Sequence, residues 1–275
     1  MSQTAADAER LVARGQITPL IITYNEAPNV RRTVEKLLWA EKIVVIDSGS
    51  TDETVALLRH YPQVEVIYHA FADFASQCNF GLTRVPGPWV LSLDADYELS
   101  DELVRELCLL APPAGVAGYQ ARFVYLVHGR PLRGSLYPPR TVLYRKDRAV
   151  YRNEGHGHRV DLDGDVSPLD GVIYHDDRKP LGCWLTAQRR YAREEAVYLL
   201  ALEHGASRWT DKIRLMGWPA PIGALFYALL IKGCLFDGWA GWYYALQRAV
   251  AEALIALEII DRRLRERRGR SPIDV

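Results

Sequence analysis

Between Ile17 and Leu110, four short apolar runs, at 17–23, 42–47, 64–68 and 88–93, each lead into a stretch with helical spacing, near 28–39, 52–60, 74–84 and 101–110. Runs this short and this apolar read as strands buried on both faces. Their alternation with helices leaves a mostly parallel sheet wrapped by helices as the economical fold. Local signals agree. Pro28 suits a first helical turn, Ser50 and Glu53 have the spacing of a capping box, and Ser100 precedes two acidic residues. Open sheets of this kind bind ligands outside the carboxyl ends of their strands. Three polar segments fall there: Thr23-Tyr24-Asn25-Glu26, Asp47-Ser48-Gly49-Ser50-Thr51-Asp52-Glu53-Thr54, and Asp94-Ala95-Asp96.

The chemistry of these segments points to a nucleotide. Two carboxylates on one tight turn offer hard oxygen ligands to a divalent cation and leave positions open for phosphate oxygens. Neither strand nor turn chemistry requires the pair at 94 and 96. Asp47 closes the second strand, where an acidic side chain commonly meets a nucleotide. Thr23, Tyr24 and Glu26 are placed to hold base and ribose, although a helix capped by Asn25, with Glu26 complementing its dipole, explains the same segment. Asp73 either assists at the nucleotide or caps the third helix. An Asp-x-Asp after a strand also opens haloacid-dehalogenase phosphatases, but those need Thr or Val where this chain has Glu98.

Beyond Pro112-Pro113 the pattern changes to β-rich runs at 117–127 and 141–145, read as antiparallel additions to the sheet, separated by a Gly-, Pro- and Arg-rich loop from His128 to Arg140. A strand at 171–175 ends in His175-Asp176-Asp177, and from Leu181 the chain reads as helical. The expected division is a polar leader at 1–16, a catalytic domain at 17–178 and a helical region at 179–275. Pro219 to Ile231 is apolar but short of the roughly twenty residues of a span. Trp239, Trp242, Tyr243 and Tyr244, followed by arginines 262, 263, 265, 267, 268 and 270, resemble an interfacial belt that meets an anionic membrane; packing on the catalytic domain is the alternative. With 34 basic and 34 acidic side chains, no net field draws the protein to nucleic acid. Four scattered cysteines and an N-terminus without an apolar core predict neither disulfides, zinc knuckle nor secretory signal, and a cytoplasmic location.

In order and separation, Thr-Tyr-Asn-Glu, Asp-Ser-Gly-Ser-Thr-Asp-Glu-Thr and Leu-Asp-Ala-Asp resemble the family-2 nucleotide-sugar glycosyltransferases of the GT-A fold, over about residues 17–110. The resemblance implies that Thr23, Glu26 and Asp47 surround the nucleoside and that Asp94 lies near ribose and diphosphate. It implies that Asp96 binds Mg²⁺ or Mn²⁺, with His175 available to complete the metal shell. The family's Gln-Arg-Asn is here Gln77-Cys78-Asn79, which lacks one diphosphate contact. The segment from Leu235 to Gly241 and the helix after it look like the tail of bacterial enzymes that glycosylate lipopolysaccharide core or lipid-linked glycans. Relatives often carry Val-His-Glu as the source of the base, whereas this chain has Asn153-Glu154-Gly155-His156-Gly157-His158-Arg159. Glu154, His156 and His158 are the candidate bases, with His158 roughly where the relatives' Glu stands. The expected activity is metal-dependent transfer from a nucleoside diphosphate sugar, favouring UDP, to a glycan or lipid-linked acceptor in bacterial surface polysaccharide synthesis. The enzyme is expected at the inner face of the plasma membrane. A sugar nucleotidyltransferase and a non-catalytic tethering subunit are the rival readings.

Overall fold

The structure is a computed structural model that describes residues 15–113, 115–154, 157–202 and 208–267, with backbone alone at 154, 157, 158 and 267. The chain divides into two compact units, one of residues 1–129 and 137–178, the other of residues 130–136 and 179–275.

The first unit is built as the βα alternation requires: β1 (Ile17–Thr23), α1 (Val30–Glu35), β2 (Ile43–Asp47), α2 (Thr54–Leu58), β3 (Val64–Tyr68), α3 (Phe74–Arg84), β4 (Trp89–Asp94), β5 (Tyr97–Leu99), α4 (Asp101–Leu109) and β6 (Val116–Val127). The two-residue β7 (Arg130–Pro131) belongs to the second unit, after which β8 (Arg140–Arg145), the hairpin β9 (Ala149–Glu154) and β10 (Gly157–Leu162), and β11 (Asp165–His175) complete the first. Sheet order is β3-β2-β1-β4-β8-β6-β11-β5. The sheet is mixed: β3, β2, β1 and β4 run parallel, and β8 is antiparallel to both β4 and β6.

Period-two alternation sorts the strands onto two cores. Ile17 and Ile21 of β1, Ile43 and Val45 of β2, and Leu91 and Leu93 of β4 face α1, α2 and α4, whose Val30, Val34, Leu58, Leu103 and Leu107, with Leu37 just after α1, close over them. Leu20, Val44, Ile46 and Val90 face the other way, onto Ala75, Cys78 and Leu82 of α3 and onto Tyr151 of the β9–β10 hairpin.

The mixed α/β class and the C-terminal helical region match the sequence reading, with local corrections. The first two helices are shorter than their periodicity suggested. The Ser50–Glu53 capping box does not form: α2 begins after Glu53 without a side-chain cap, because Ser50 Oγ accepts the Asn25 amide and the Ser50 amide donates to Asp47 instead. Asn25 caps no helix. It sits at φ 55, and its Oδ1 accepts the Thr51 amide at 2.8 Å. The runs at 117–127 and 141–145 join antiparallel to each other, as read, with β8 antiparallel to β4, while β11, whose direction was not read, pairs with β6 in parallel and with β5 antiparallel. β5 went unread because three residues between an acidic turn and a helix carry no period.

The second unit holds α5 (Leu181–Leu202), α6 (Trp209–Met216), α7 (Pro219–Phe226) and α8 (Gly238–Arg267), the last two joined by a π turn (Tyr227–Ile231) and a 3₁₀ turn (Cys234–Asp237). Its core is Ala192, Ala196 and Leu199 of α5, Leu215 of α6, and Ile255 and Ile259 of α8. Beside it the Arg214 guanidinium bridges Glu195 at 2.6 Å and Glu252 at 2.9 Å. Residues 130–136 are stitched to these helices. Asp237 accepts the Arg133 amide, Tyr244 Oη accepts the Leu136 amide, and Cys234 Sγ donates to the Gly134 carbonyl.

Gly171 marks the closest approach of α4 to the sheet. A Cβ there would lie 2.5 Å from Leu103 Cα and 2.6 Å from its amide nitrogen. Backbone cannot step aside as a side chain can, so Gly171→Ala is expected to destabilise the first unit by about 1–3 kcal/mol or more, measured by urea denaturation. Unchanged stability would mean that α4 does not pack as described.

Candidate active site

Register brings the three polar segments together. Thr23 is paired with Asp47 across β1 and β2, and Ile22 with Asp94 across β1 and β4, so all three segments leave the sheet at one carboxyl edge. The first two form a stitched platform. Asp47, nearly fully buried, accepts the Gly49 and Ser50 amides on Oδ2 at 2.8 and 2.9 Å and the Ser50 hydroxyl on Oδ1 at 2.5 Å. Ser50 Oγ in turn accepts the Asn25 amide at 2.9 Å, Thr54 Oγ1 accepts the Glu26 amide at 2.8 Å, and Asp52 accepts the Ala27 amide at 3.1 Å. Burial pushes the Asp52 carboxyl up, but hydrogen bonds from Thr54 and Ala27 outweigh it and hold the group below its ordinary value. Tyr24 is exposed beside this platform. Thr23 Oγ1 is buried with no partner among the described residues, an orphaned hydroxyl at the strand end.

The second half of the site joins the β4–β5 turn to the end of β11. Thr33 of α1 donates to the Ala95 carbonyl at 2.7 Å, fixing the turn from below. Asp96 Oδ2 lies 3.2 Å from His175 Nε2. With Asp96 ionised the imidazole donates from Nε2, which leaves Nδ1 buried and without a described partner. Burial draws the His175 pKa down; the charges of Asp96, Asp94 and Asp177 draw it up further, and the net shift is upward. The rings of Tyr97, Tyr125 and Tyr137 surround this imidazole edge to face, with centroids 4.8–5.2 Å away, and the Tyr97 and Tyr137 hydroxyls are hydrogen-bonded. Asp94 makes no side-chain hydrogen bond with a described residue.

Behind the site lies a network that sequence reasoning missed. Asp176, 1% exposed, accepts from Arg32 at 3.0 Å and from Arg178 Nε at 2.8 Å on Oδ2, and from the Gly129 amide on Oδ1. Asn29, fully buried, donates to Glu26 and Asp177 and accepts from Arg32 and from the Arg178 amide. Glu26 therefore faces Asn29. The i, i+3 spacing of Asn29 and Arg32 was visible at the head of α1, but nothing local announces a partner 144 residues away.

The remaining candidates are less central. Both Asp73 oxygens bond Ser76, at 2.8 Å to its amide and 2.7 Å to its hydroxyl, so helix capping accounts for this residue. Gln77 donates to Ser48 Oγ and to the His69 carbonyl, and Asn79 exchanges bonds with the Tyr151 backbone, so the tripeptide that replaces Gln-Arg-Asn ties α3 to β2 and β9. In the hairpin, His158 pairs with Asn153 and Glu154 with Gly157 through backbone. The side chains of Glu154 and His158, and His156 entirely, lie outside the described residues. All four cysteines are free.

The glycosyl transferase family 2 model matches residues 19–159, just over half of the chain. Among curated proteins, the lipopolysaccharide core biosynthesis glycosyltransferase LpsC of Rhizobium meliloti is 32% identical over 171 residues, covering 59% of each chain. An uncharacterized glycosyltransferase of Rickettsia bellii is 31% identical over 254 residues, covering 87% of this chain and 84% of the relative. Among solved structures, S. aureus TarS 1-349 in complex with UDP-GlcNAc is similar with a TM-score of 0.42 at 15% identity, covering 94% of this chain and 93% of that one. The chain belongs to glycosyl transferase family 2 and is a glycosyltransferase.

Removing the Asp176 carboxylate leaves Arg32 and Arg178 beside a buried void. Asp176→Ala is expected to lower stability by about 3–5 kcal/mol, read from the denaturation midpoint at constant slope. The Asp52 contribution is opposite in origin to a raised base. Its native pKa lies below the ordinary 3.8, so its stabilisation is complete above that value and is lost as pH falls through the lower native one. Asp52 is exposed, so solvent screens its contribution, and Asp52→Ala is expected to lower stability by about 0.5–1 kcal/mol at pH 7 and by progressively less below pH 4.

Proposed function

We propose that this enzyme transfers a sugar, with inversion, from a nucleoside diphosphate sugar, UDP-linked in the favoured case, to a glycan or lipid-linked acceptor in bacterial surface polysaccharide synthesis. The observation that carries this reading is the convergence of Thr23, Asp94, Asp96 and His175 at one sheet edge, with Asp94 and Thr23 Oγ1 making no side-chain hydrogen bond among the described residues. Family membership supplies the reaction class, and the LpsC relative is named for lipopolysaccharide core biosynthesis.

In this reading Thr23, Tyr24 and Glu26 border the base and ribose on the platform that Asp47 organises from within. Asp94 meets the ribose and diphosphate. No three His, Cys, Asp or Glu side chains converge among the described residues. The fit to a divalent ion is nonetheless adequate, because Mg²⁺ and Mn²⁺ sites commonly use one or two carboxylates and take the rest of their shell from phosphate and water. Asp96, aided by Asp94, would hold it. His175 suits the role less well: its Nε2 already faces Asp96, and Nδ1 lacks the acceptor that normally orients a ligating imidazole. A bound cation supplies charge stabilisation to the departing diphosphate. The side chains themselves orient the donor and exclude water. A residue of 154–158, with His158 ahead of Glu154 and His156, takes the acceptor hydroxyl proton as that oxygen attacks the anomeric carbon.

The second unit supports a peripheral membrane location. No single described helix is long and apolar enough to cross a bilayer; Pro219–Ile231 and Cys234–Glu266 pass only as a pair, bent by 73°. The bend displays Phe226, Leu230, Ile231, Phe236 and Trp239, with Ile231 71% and Phe236 70% exposed. Arg130 lies over Trp239, Arg133 over Phe236 and Lys232 over Tyr227. Apolar side chains ringed by cations match the inner leaflet, where headgroups are anionic.

Asp96→Ala is expected to reduce transfer by about 10³-fold or more while leaving the melting temperature within a few degrees. Unchanged transfer in a release assay for the nucleoside diphosphate would remove Asp96 from the mechanism. Wild type should sediment with phosphatidylserine vesicles in low salt, and Ile231→Asp with Phe236→Asp should remain in the supernatant; co-sedimentation of both proteins alike would contradict the membrane assignment.

A further inference from the structure

The arginine of Gln-Arg-Asn is missing here, and α3 offers no substitute. Cys78, 1% exposed, packs with Leu20, Val90, Tyr144 and Tyr151 in the interior. Its neighbours Gln77 and Asn79 are committed to Ser48, His69 and Tyr151. Two guanidinium groups stand near the site from the other side, but both are already engaged, Arg32 by Asp176 and Glu98 and Arg178 by Asp176. A leaving diphosphate beside Asp94 and Asp96 would meet two negative carboxylates and no free side-chain cation from any of these elements.

Arg140 differs from all of them. It opens β8, where pairing with Ala121 of β6 fixes its backbone. Its guanidinium carbon lies 4.5 Å from the centroid of the Tyr137 ring. Tyr137 is held by its hydroxyl contact with Tyr97, and its ring stands 4.9 Å from that of His175, which meets Asp96. Arg140 thus sits one ring away from the Asp96–His175 pair, yet it forms no ion pair or side-chain hydrogen bond with a described residue. A guanidinium held over an aromatic face without ion-pair partners keeps N–H groups to offer, and its fork matches two phosphate oxygens at once.

We propose that Arg140 binds the diphosphate of the donor, supplying from β8 the positive charge that α3 lacks. The assignment rests on the nucleotide-sugar reading above. It makes Arg140 a donor-binding residue with its effect concentrated on the phosphates, while the nucleoside is held elsewhere, by the β1 and β2 loops.

The test is calorimetric titration of UDP and of uridine, in Mn²⁺, into wild type, Arg140→Gln and Arg140→Lys, each with its melting temperature measured. Arg140→Gln is expected to weaken UDP about 10- to 100-fold and leave uridine within about twofold. Arg140→Lys keeps the charge but loses the fork, so it should fall between, again with uridine unchanged. This second variant decides the matter if the glutamine variant does not fold. UDP binding by either folded variant as tightly as by wild type, or an equal loss for UDP and uridine, would overturn the assignment while leaving the nucleotide-sugar reading in place. Failure of wild type to bind UDP would overturn both.

Discussion

A buried carboxylate, Asp176, positions the rest of the site. An ionised group 1% exposed is tolerated only when its charge and lone pairs are met, and here Arg32, Arg178 and the Gly129 amide meet them. The consequence is geometric. Arg32 belongs to α1, Gly129 follows β6 and Asp176 follows β11, so one carboxylate ties together segments far apart in sequence. His175, its immediate neighbour, is thereby held against Asp96. Thr33, one residue beyond Arg32, fixes the same acidic turn through the Ala95 carbonyl. The edge proposed to react is therefore set by a few polar contacts beneath it.

The same logic organises the nucleoside side. Asp47 places its oxygens on its own turn, and that turn fastens to residues 25–27 through Ser50, Asp52 and Thr54. A carboxylate expected to touch ligand thus serves first to preorganise the backbone around it. Among the described residues the Thr23 hydroxyl and His175 Nδ1 are buried without a partner, and the Asp94 carboxylate and the Arg140 guanidinium make no side-chain hydrogen bond. Buried groups without partners are costly, and the proposed site draws on all four.

Much of this was legible in sequence because it is local. Strand–helix alternation placed β1 to β4 within a residue or so and assigned the three polar segments to the right edge, since period and turn chemistry are properties of neighbouring residues. The Asp176 network was not legible, because Asn29, Arg32 and Arg178 look like ordinary capping and surface residues until the chain closes. Ser50 shows the limit of a local rule: its spacing to Glu53 satisfied a capping box, but its oxygen accepts from Asn25 and its amide donates to the buried Asp47. The parallel pairing of β11 with β6 likewise depends on where a long connection returns, and no periodicity encodes that. Residues 130–136, read as a loop of the catalytic part, belong with the helices because Asp237, Tyr244 and Cys234 bind their backbone.

The central claim is that the Thr23–Asp94–Asp96 edge binds a nucleoside diphosphate together with a divalent cation. Titration calorimetry of UDP, GDP, dTDP and CMP into the protein, with Mn²⁺ and with chelator, tests it most directly. The account predicts saturable binding of one nucleotide, UDP foremost, that requires the metal and disappears in Asp96→Ala. Equal binding with chelator, or binding that survives in Asp96→Ala, would contradict the assignment of the metal to this turn, and no binding of any nucleotide would contradict the site itself.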